Sequence, residues 1–179
     1  MGRAGLDRII VVDLETTCED ETGEELPREV IEVGVCFLDL RSGEITERQS
    51  ILVRPAFSKV SDFCTKLTTL TQKQVESGIP FAEACALFKE RYETKRRVWA
   101  SYGDFDRSQF ESECRSKGIP YPFGPRHINV KTLFAMRHRL TQEVGMGQAL
   151  RRLGLELIGT HHRGMDDAYN VARILYTLI

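Results

Sequence analysis

RIIVVDLET, residues Arg8 to Thr16, is the stretch from which the rest of the chain can be read. Ile9, Ile10, Val11 and Val12 are β-branched in succession, which favours a strand. Within it Arg8 to Leu14 (RIIVVDL) is a short, nearly continuous apolar run, which suits a strand buried on both faces. At its end two acids alternate with a leucine. Strand alternation puts Asp13 and Glu15 on one face and Leu14 on the other. Two like charges side by side at the edge of a core are unfavourable unless a cation sits between them. A hard divalent ion such as Mg²⁺, which prefers carboxylate oxygens, is the economical solution. A strand end running into solvent explains the same D-x-E pattern, so this segment alone leaves the choice open.

Working outward, residues 30–40 read as a second strand, with Val30, Ile31, Val33 and Val35 favouring extended backbone. Arg41-Ser42-Gly43-Glu44 is a turn signal, and residues 45–53 alternate as a third strand. This opening predicts an antiparallel meander. The rhythm then changes. Phe81, Ala84, Cys85, Phe88 and Tyr92 form a helical stripe behind a helix-opening Pro80. Residues 98–102 read as a short strand. A helix follows over about 105–117, stopped by Gly118 and Pro120. Residues 127–130 read as a last strand, 147–153 as a short helix and 165–178 as a final one. No repeat or linker interrupts the chain, and the acidic stretch 18–27 reads as a solvated connection. The expectation is one α/β domain over residues 1–179: a central mixed five-stranded sheet, meander first and β/α units after, flanked by helices.

Composition sets bounds on function. The 179 residues carry 25 Lys+Arg and 26 Asp+Glu, a net charge of −1. That excludes a strongly basic nucleic-acid glove and gives no support to a polybasic membrane anchor. The sum conceals a division: residues 1–50 hold 5 bases and 13 acids (net −8), residues 51–179 hold 20 and 13 (net +7). No apolar run approaches the roughly 20 residues that span a bilayer, and the N-terminus has no signal-peptide core. The five cysteines are odd in number, scattered and without a C-x-x-C pair, which argues against a zinc site or a disulfide framework. A soluble, cytoplasmic chain with reduced thiols is expected.

Two further segments supply acids. His161-His162-Arg163-Gly164-Met165-Asp166-Asp167 opens the last helix. Asp167 lies beside the apolar stripe Ala168, Val171, Ala172, Leu175 and so points toward the sheet, while Asp166 caps the helix or faces water. His162 precedes Asp167, and His161 precedes Asp166, by the same spacing; helix phase favours the His162/Asp167 pair. Between these segments, Asp104 and Asp106 follow the 98–102 strand, where acids are well placed for ligands; one is expected to cap the next helix while the other faces the site. Acids on three strand or helix ends suit a two-metal hydrolase, and a histidine of near-neutral pKa suits the proton of its attacking water.

D-L-E-T at Asp13 to Thr16, F-D at Phe105-Asp106 and H-x-x-x-x-D at His162 to Asp167 resemble, in order, the three exonuclease motifs of the DEDDh group. That group belongs to the DnaQ-like 3′→5′ exonucleases, with a ribonuclease H-like fold. More narrowly, P-R-E-V-I-E-V from Pro27, F-C-x-x-L-T-x-L-T-Q from Phe63 and H-R-G-M-D-D-A-Y-N-V-A-R-I from His162 look like the Eri-type branch, which includes exonucleases that trim RNA ends and bacterial relatives described as kinase inhibitors. The resemblance implies a 3′→5′ exonuclease that releases nucleoside 5′-monophosphates from single-stranded 3′ ends, RNA more than DNA. It implies two divalent ions, Mg²⁺ with Mn²⁺ able to substitute. Asp13 would bridge both, Glu15 and Asp167 would hold the nucleophile-side ion, Asp106 would support the second, and His162 would be the general base. Backbone around Leu14 and Thr16 would meet the terminal ribose. Phe63 and Leu67 would wall the terminal bases, and Phe105 stands where the branch often has tryptophan. No added SAP-like RNA-binding module is seen, so selective binding of a structured stem-loop is not expected.

Lys66, Lys73, Arg126, Lys131, Arg137, Arg139, Arg151 and Arg152 are the bases that could track phosphates. Two bound divalent ions would take the formal charge from −1 to −1 + 4 = +3. So small a positive charge suits short-range contact with a few 3′-terminal nucleotides. A DNA-directed exonuclease of the same fold, or a regulator that binds a protein partner such as a kinase, are the alternatives.

Overall fold

The computed structural model describes residues 6–19 and 27–179; the acidic part of the 18–27 connection lies outside them. Strands β1 (Arg8–Thr16), β2 (Val30–Asp39) and β3 (Ile45–Arg54) form the antiparallel meander that the sequence predicts. Beyond β1 the sheet continues in parallel through β5 (Trp99–Ser101) and β6 (His127–Asn129). The five expected strands are joined by a sixth, β4 (Ile79–Pro80), parallel to the outer side of β3, giving the order β4-β3-β2-β1-β5-β6. Two residues are too few to show periodicity, and proline is tolerated there because β4 is an edge.

Helices α3 (Phe81–Arg91), α4 (Phe105–Lys117), α6 (Met146–Arg152) and α7 (Gly164–Tyr176) fall where their stripes and stops put them. Three more are short and were not expected: α1 (Asp62–Thr68), α2 (Gln72–Glu76) and α5 (Val130–Arg137). Each rests on a cap rather than on a long apolar stripe. The Ser61 side chain accepts the Cys64 N–H, Thr71 and Gln74 form a reciprocal capping box, and the Asn129 side chain accepts the Thr132 N–H. The Asn129 cap also ends β6 one residue early, so that Val130 opens a helix.

Alternation along β1 feeds two cores. Ile10, Val12 and Leu14 pack with Phe81, Phe88 and Phe110 on one side. Ile9 and Val11 pack with Phe134, Leu150, Val171 and Leu175 on the other. Asp13 and Glu15 continue that second face, which α7 covers.

A buried polar knot ties α4 to the start of β2. Lys117 Nζ lies 2.8 Å from Glu29 Oε1 and 2.7 Å from Glu113 Oε1. Glu29 also accepts the N–H groups of Ala56, Phe57 and Ser58, and Glu113 Oε2 accepts the Val30 N–H. Burial pushes the Glu29 carboxyl up, but Lys117 and the three amides outweigh it and hold its pKa at about 2. Buried anions this well paired fix the backbone around them.

Candidate active site

Backbone register puts the acids where they are. β1 pairs with β5 only at Ile10↔Trp99 and Val11↔Ala100, so past Val11 this side of β1 has no strand beside it. β5 ends at Ser101 and Gly103, at φ +106°, turns the chain toward α4. Asp106, in the first turn of α4, fills the gap: its Oδ1 accepts the Leu14 N–H at 2.9 Å. Asp104 occupies the N-cap position without a side-chain cap bond, and its Oδ2 instead accepts from Asn129 at 3.0 Å. Of the two acids, Asp106 is the one that faces the end of β1.

The last helix docks on the opposite side. Gly34 lies across from Asp13 in the β1–β2 ladder, and a Cβ there would sit 1.8 Å from the Gly164 carbonyl carbon. A Cβ on Gly164 would in turn lie 2.7 Å from the Gly34 nitrogen. Backbone therefore touches backbone, which only glycine permits. Glu32, fully buried and opposite Glu15, clamps this contact. It accepts from Arg163 Nε and Nη2 at 3.2 Å each, from the Gly164 N–H at 2.9 Å and from the Ser50 hydroxyl. A forked guanidinium on one carboxylate is a strong, oriented pair.

That docking carries Asp167 to the acids of β1. Asp13, Glu15 and Asp167 each place a carboxylate oxygen within 4.8 Å of the others. His161, His162 and Asp167 form a second such cluster. His162 has a left-handed backbone, φ +63°, and its N–H donates to Asp167 Oδ2 at 2.9 Å. The ring on Asp167 belongs to His161, whose Nδ1 lies 2.9 Å from the same oxygen, with the two imidazoles stacked 4.0 Å apart. Helix phase correctly turns Asp167 inward. It could not show His161 folding back, because that depends on the left-handed turn after it. Asp166 points away and accepts from the Thr160 N–H and Arg48.

The four carboxylates have little to neutralise them. Burial, then the charges of Asp106, Glu15 and Asp167, raise Asp13 well above the usual carboxylate range. Burial, then Asp167 and Glu32, lift Glu15 to about 8. Burial lifts Asp106 to about 6 against the pull of the Leu14 amide, and it also raises Asp167. Asp167 Oδ1 is buried without a hydrogen-bond partner. Mutually repelling carboxylates with an orphaned buried oxygen fit hard divalent cations.

The ten residues that the resemblance assigns to the site line one groove of about 460 Å³: Asp13, Leu14, Glu15, Thr16, Phe63, Leu67, Phe105, Asp106, His162 and Asp167. Leu14 turns its side chain into the core and its N–H to Asp106. Phe63 and Leu67, one turn apart on α1, stand partly exposed, as does Phe105. None of the eight bases picked from sequence lines the groove; Arg28, which was not among them, does.

The chain matches the RNase_T exonuclease family over residues 10–175. It belongs to that family. It is 30% identical over 184 residues to the 3′-5′ exoribonuclease 1 of Rattus norvegicus, covering 97% of this chain and 53% of the relative. A Bacillus subtilis (strain 168) relative named probable 3′-5′ exonuclease KapD is 29% identical over 175 residues, covering 93% and 82%. The nuclease domain of 3′hExo, a DEDDh family member solved bound to rAMP, superposes with a TM-score of 0.87 at 27% identity, covering 98% and 93%. The chain spans about half the length of the exoribonuclease 1 relatives it matches. These likenesses assign it to the DEDDh group, Eri-type branch, with the ribonuclease H-like fold. Among the described residues no helix is long and apolar enough to cross a membrane.

The raised carboxyls of this exonuclease-family site have a measurable consequence. Unfolded, these acids lose their protons near pH 4; folded and metal-free, they keep them up to about pH 6 at Asp106 and about 8 at Glu15. The folded state then binds more protons than the unfolded one, so stability falls as pH rises through that window. His162 and His127, both held below the ordinary 6.5, work in the opposite direction but only below that pH. Glu29, at about 2, no longer changes there. Between pH 6.5 and 8 the Tm of chelator-treated protein should fall. Mg²⁺ should raise it, and more at pH 8 than at 6.5. A flat Tm with no response to Mg²⁺ would contradict this electrostatic account.

Proposed function

We propose that the chain is a metal-dependent 3′→5′ exonuclease that releases nucleoside 5′-monophosphates from single-stranded ends, RNA in preference to DNA. The observation that carries this reading is the convergence of four carboxylates from β1, α4 and α7, one with an unpartnered buried oxygen. Support for RNA is the exoribonuclease name of the Rattus relative and the ribonucleotide in the superposed nuclease domain.

Asp13, Glu15 and Asp167 would hold one divalent ion, and Asp13 with Asp106 a second, Mg²⁺ or Mn²⁺ by the hard-oxygen donor set. Such ions make water nucleophilic at neutral pH and stabilise the leaving oxygen of an in-line displacement. His162 is half-buried; burial, then His161 beside it, keeps its pKa below the usual histidine value, so the ring is neutral at pH 7 and free to take the attacking water's proton. Phe63, Leu67 and Phe105 offer apolar faces to the terminal bases, and backbone at Leu14 and Thr16 borders the terminal sugar.

Incubating 5′-labelled single-stranded RNA, single-stranded DNA and duplexes with Mg²⁺ or Mn²⁺ tests this. A descending ladder on RNA, lost in Asp13→Ala and in EDTA, is expected. Faster loss of DNA would reverse the substrate preference. No degradation of any substrate with either ion would sink the reading.

A further inference from the structure

Among the described residues, one arginine and no lysine lines the groove: Arg28. Its carbonyl and the two residues that follow it are held by hydrogen bonds. Gln109 Nε2 donates to the Arg28 carbonyl at 2.9 Å, Glu29 beside it is locked by Lys117 and three amides, and the Val30 N–H is held by Glu113. The side chain is the opposite case. It is exposed and makes no ion pair with any described carboxylate, including the five that line the same groove. Its guanidinium lies 6.0 Å from the centre of the Phe105 ring, itself 45% exposed.

A guanidinium near several carboxylates would pair with them if it could reach. Among the described residues it makes no such pair and lies by the Phe105 ring instead. A held backbone with a guanidinium that pairs with no described carboxylate matches the planar, bidentate recognition of phosphate oxygens. The groove also needs such a group, because clustered acids repel a polyanionic strand before it is seated. We propose that Arg28 is the phosphate anchor of this groove: it pairs with a backbone phosphate upstream of the scissile linkage, beside the base that stacks on Phe105. This rests on the exonuclease reading above and adds to it a residue that sets affinity for the strand and leaves the chemical step alone.

The test compares wild type, Arg28→Ala and Arg28→Lys on short 5′-labelled single-stranded RNA, intact or with one near-terminal linkage at a time replaced by an uncharged methylphosphonate. Arg28→Ala should raise KM about tenfold with kcat within about twofold, the tenfold being the scale of one lost charge-assisted contact. The slope of log(kcat/KM) against log[KCl] should become shallower by about 0.7, the value for one phosphate on a single strand. Arg28→Lys should recover the slope. At one linkage the methylphosphonate should cost wild type what Arg28→Ala costs, and cost Arg28→Ala nothing more, the signature of a coupled pair. Losses that add at every linkage, or an unchanged salt slope, overturn the proposal. Anisotropy of the same RNA with Ca²⁺ in place of Mg²⁺ reads affinity and salt slope without turnover. A wild type that binds but does not degrade would therefore refute the exonuclease reading while Arg28 is still tested.

Discussion

His162→Ala is expected to slow nucleotide release at saturating substrate by at least ~10²-fold, the usual contribution of a general base, and His161→Ala to slow it far less. The two imidazoles are stacked, yet their surroundings differ. His161 presents Nδ1 to Asp167 Oδ2, so its ring is engaged with a carboxylate that would hold metal. His162 reaches the same oxygen through its backbone N–H, and among the described residues its ring nitrogens take no hydrogen bond. Its lowered pKa keeps it neutral, the form that accepts a proton. The rate should fall on acidification with a midpoint below 6.5, because protonation removes the base. Single-turnover rates of both variants, with added imidazole as a rescue of His162→Ala, make the comparison. The reverse order of effects would transfer the role to His161.

What the sequence shows of this molecule is what local periodicity controls. Alternation along β1 fixes which face Asp13 and Glu15 share, and helix phase in α7 turns Asp167 inward and Asp166 out; both outcomes hold in the structure. Each depends only on residues within a few positions of one another. The clamp between Glu32 and Arg163 joins residues 131 apart, and nothing in either neighbourhood announces it. Arg28 is inconspicuous in the sequence for a related reason. It stands next to an acidic stretch and belongs to no basic cluster, so charge patterning points to bases elsewhere. The edge strand β4 and the short helices α1, α2 and α5 lack the length that periodicity needs, and α1 supplies two of the groove's apolar side chains.

The same distinction between local and long-range signals explains why the fold tolerates its acidic site. Clustered buried carboxylates are costly, so rigid packing must hold them together when no cation does. Two features supply it: the Glu32–Arg163 clamp, which also sets a positive charge beside Glu15, and the contact of Gly34 with Gly164. The clamp involves side chains that could adjust. The glycine contact does not, since backbone opposes backbone.

Gly34→Ala should therefore be among the most damaging single-methyl changes available to this chain. The added Cβ would lie 1.8 Å from the Gly164 carbonyl carbon, 1.9 Å from its oxygen and 2.3 Å from the Met165 nitrogen. No rotamer relieves a Cβ clash, so α7 must move away from β2. The cost is expected to be at least about 3 kcal/mol, the upper part of the overpacking range, because the obstacle is main chain. Any protein that still folds should have Asp167 displaced from Asp13 and Glu15, and so a reduced Mg²⁺-induced rise in Tm. Gly147→Ala is the control: that glycine lies within α6, a Cβ there meets only the Arg151 side chain at 3.6 Å, and stability should stay level or rise slightly. Urea unfolding and Tm with and without Mg²⁺ measure both variants. Wild-type stability and Mg²⁺ response in Gly34→Ala would show that α7 is not held by this contact.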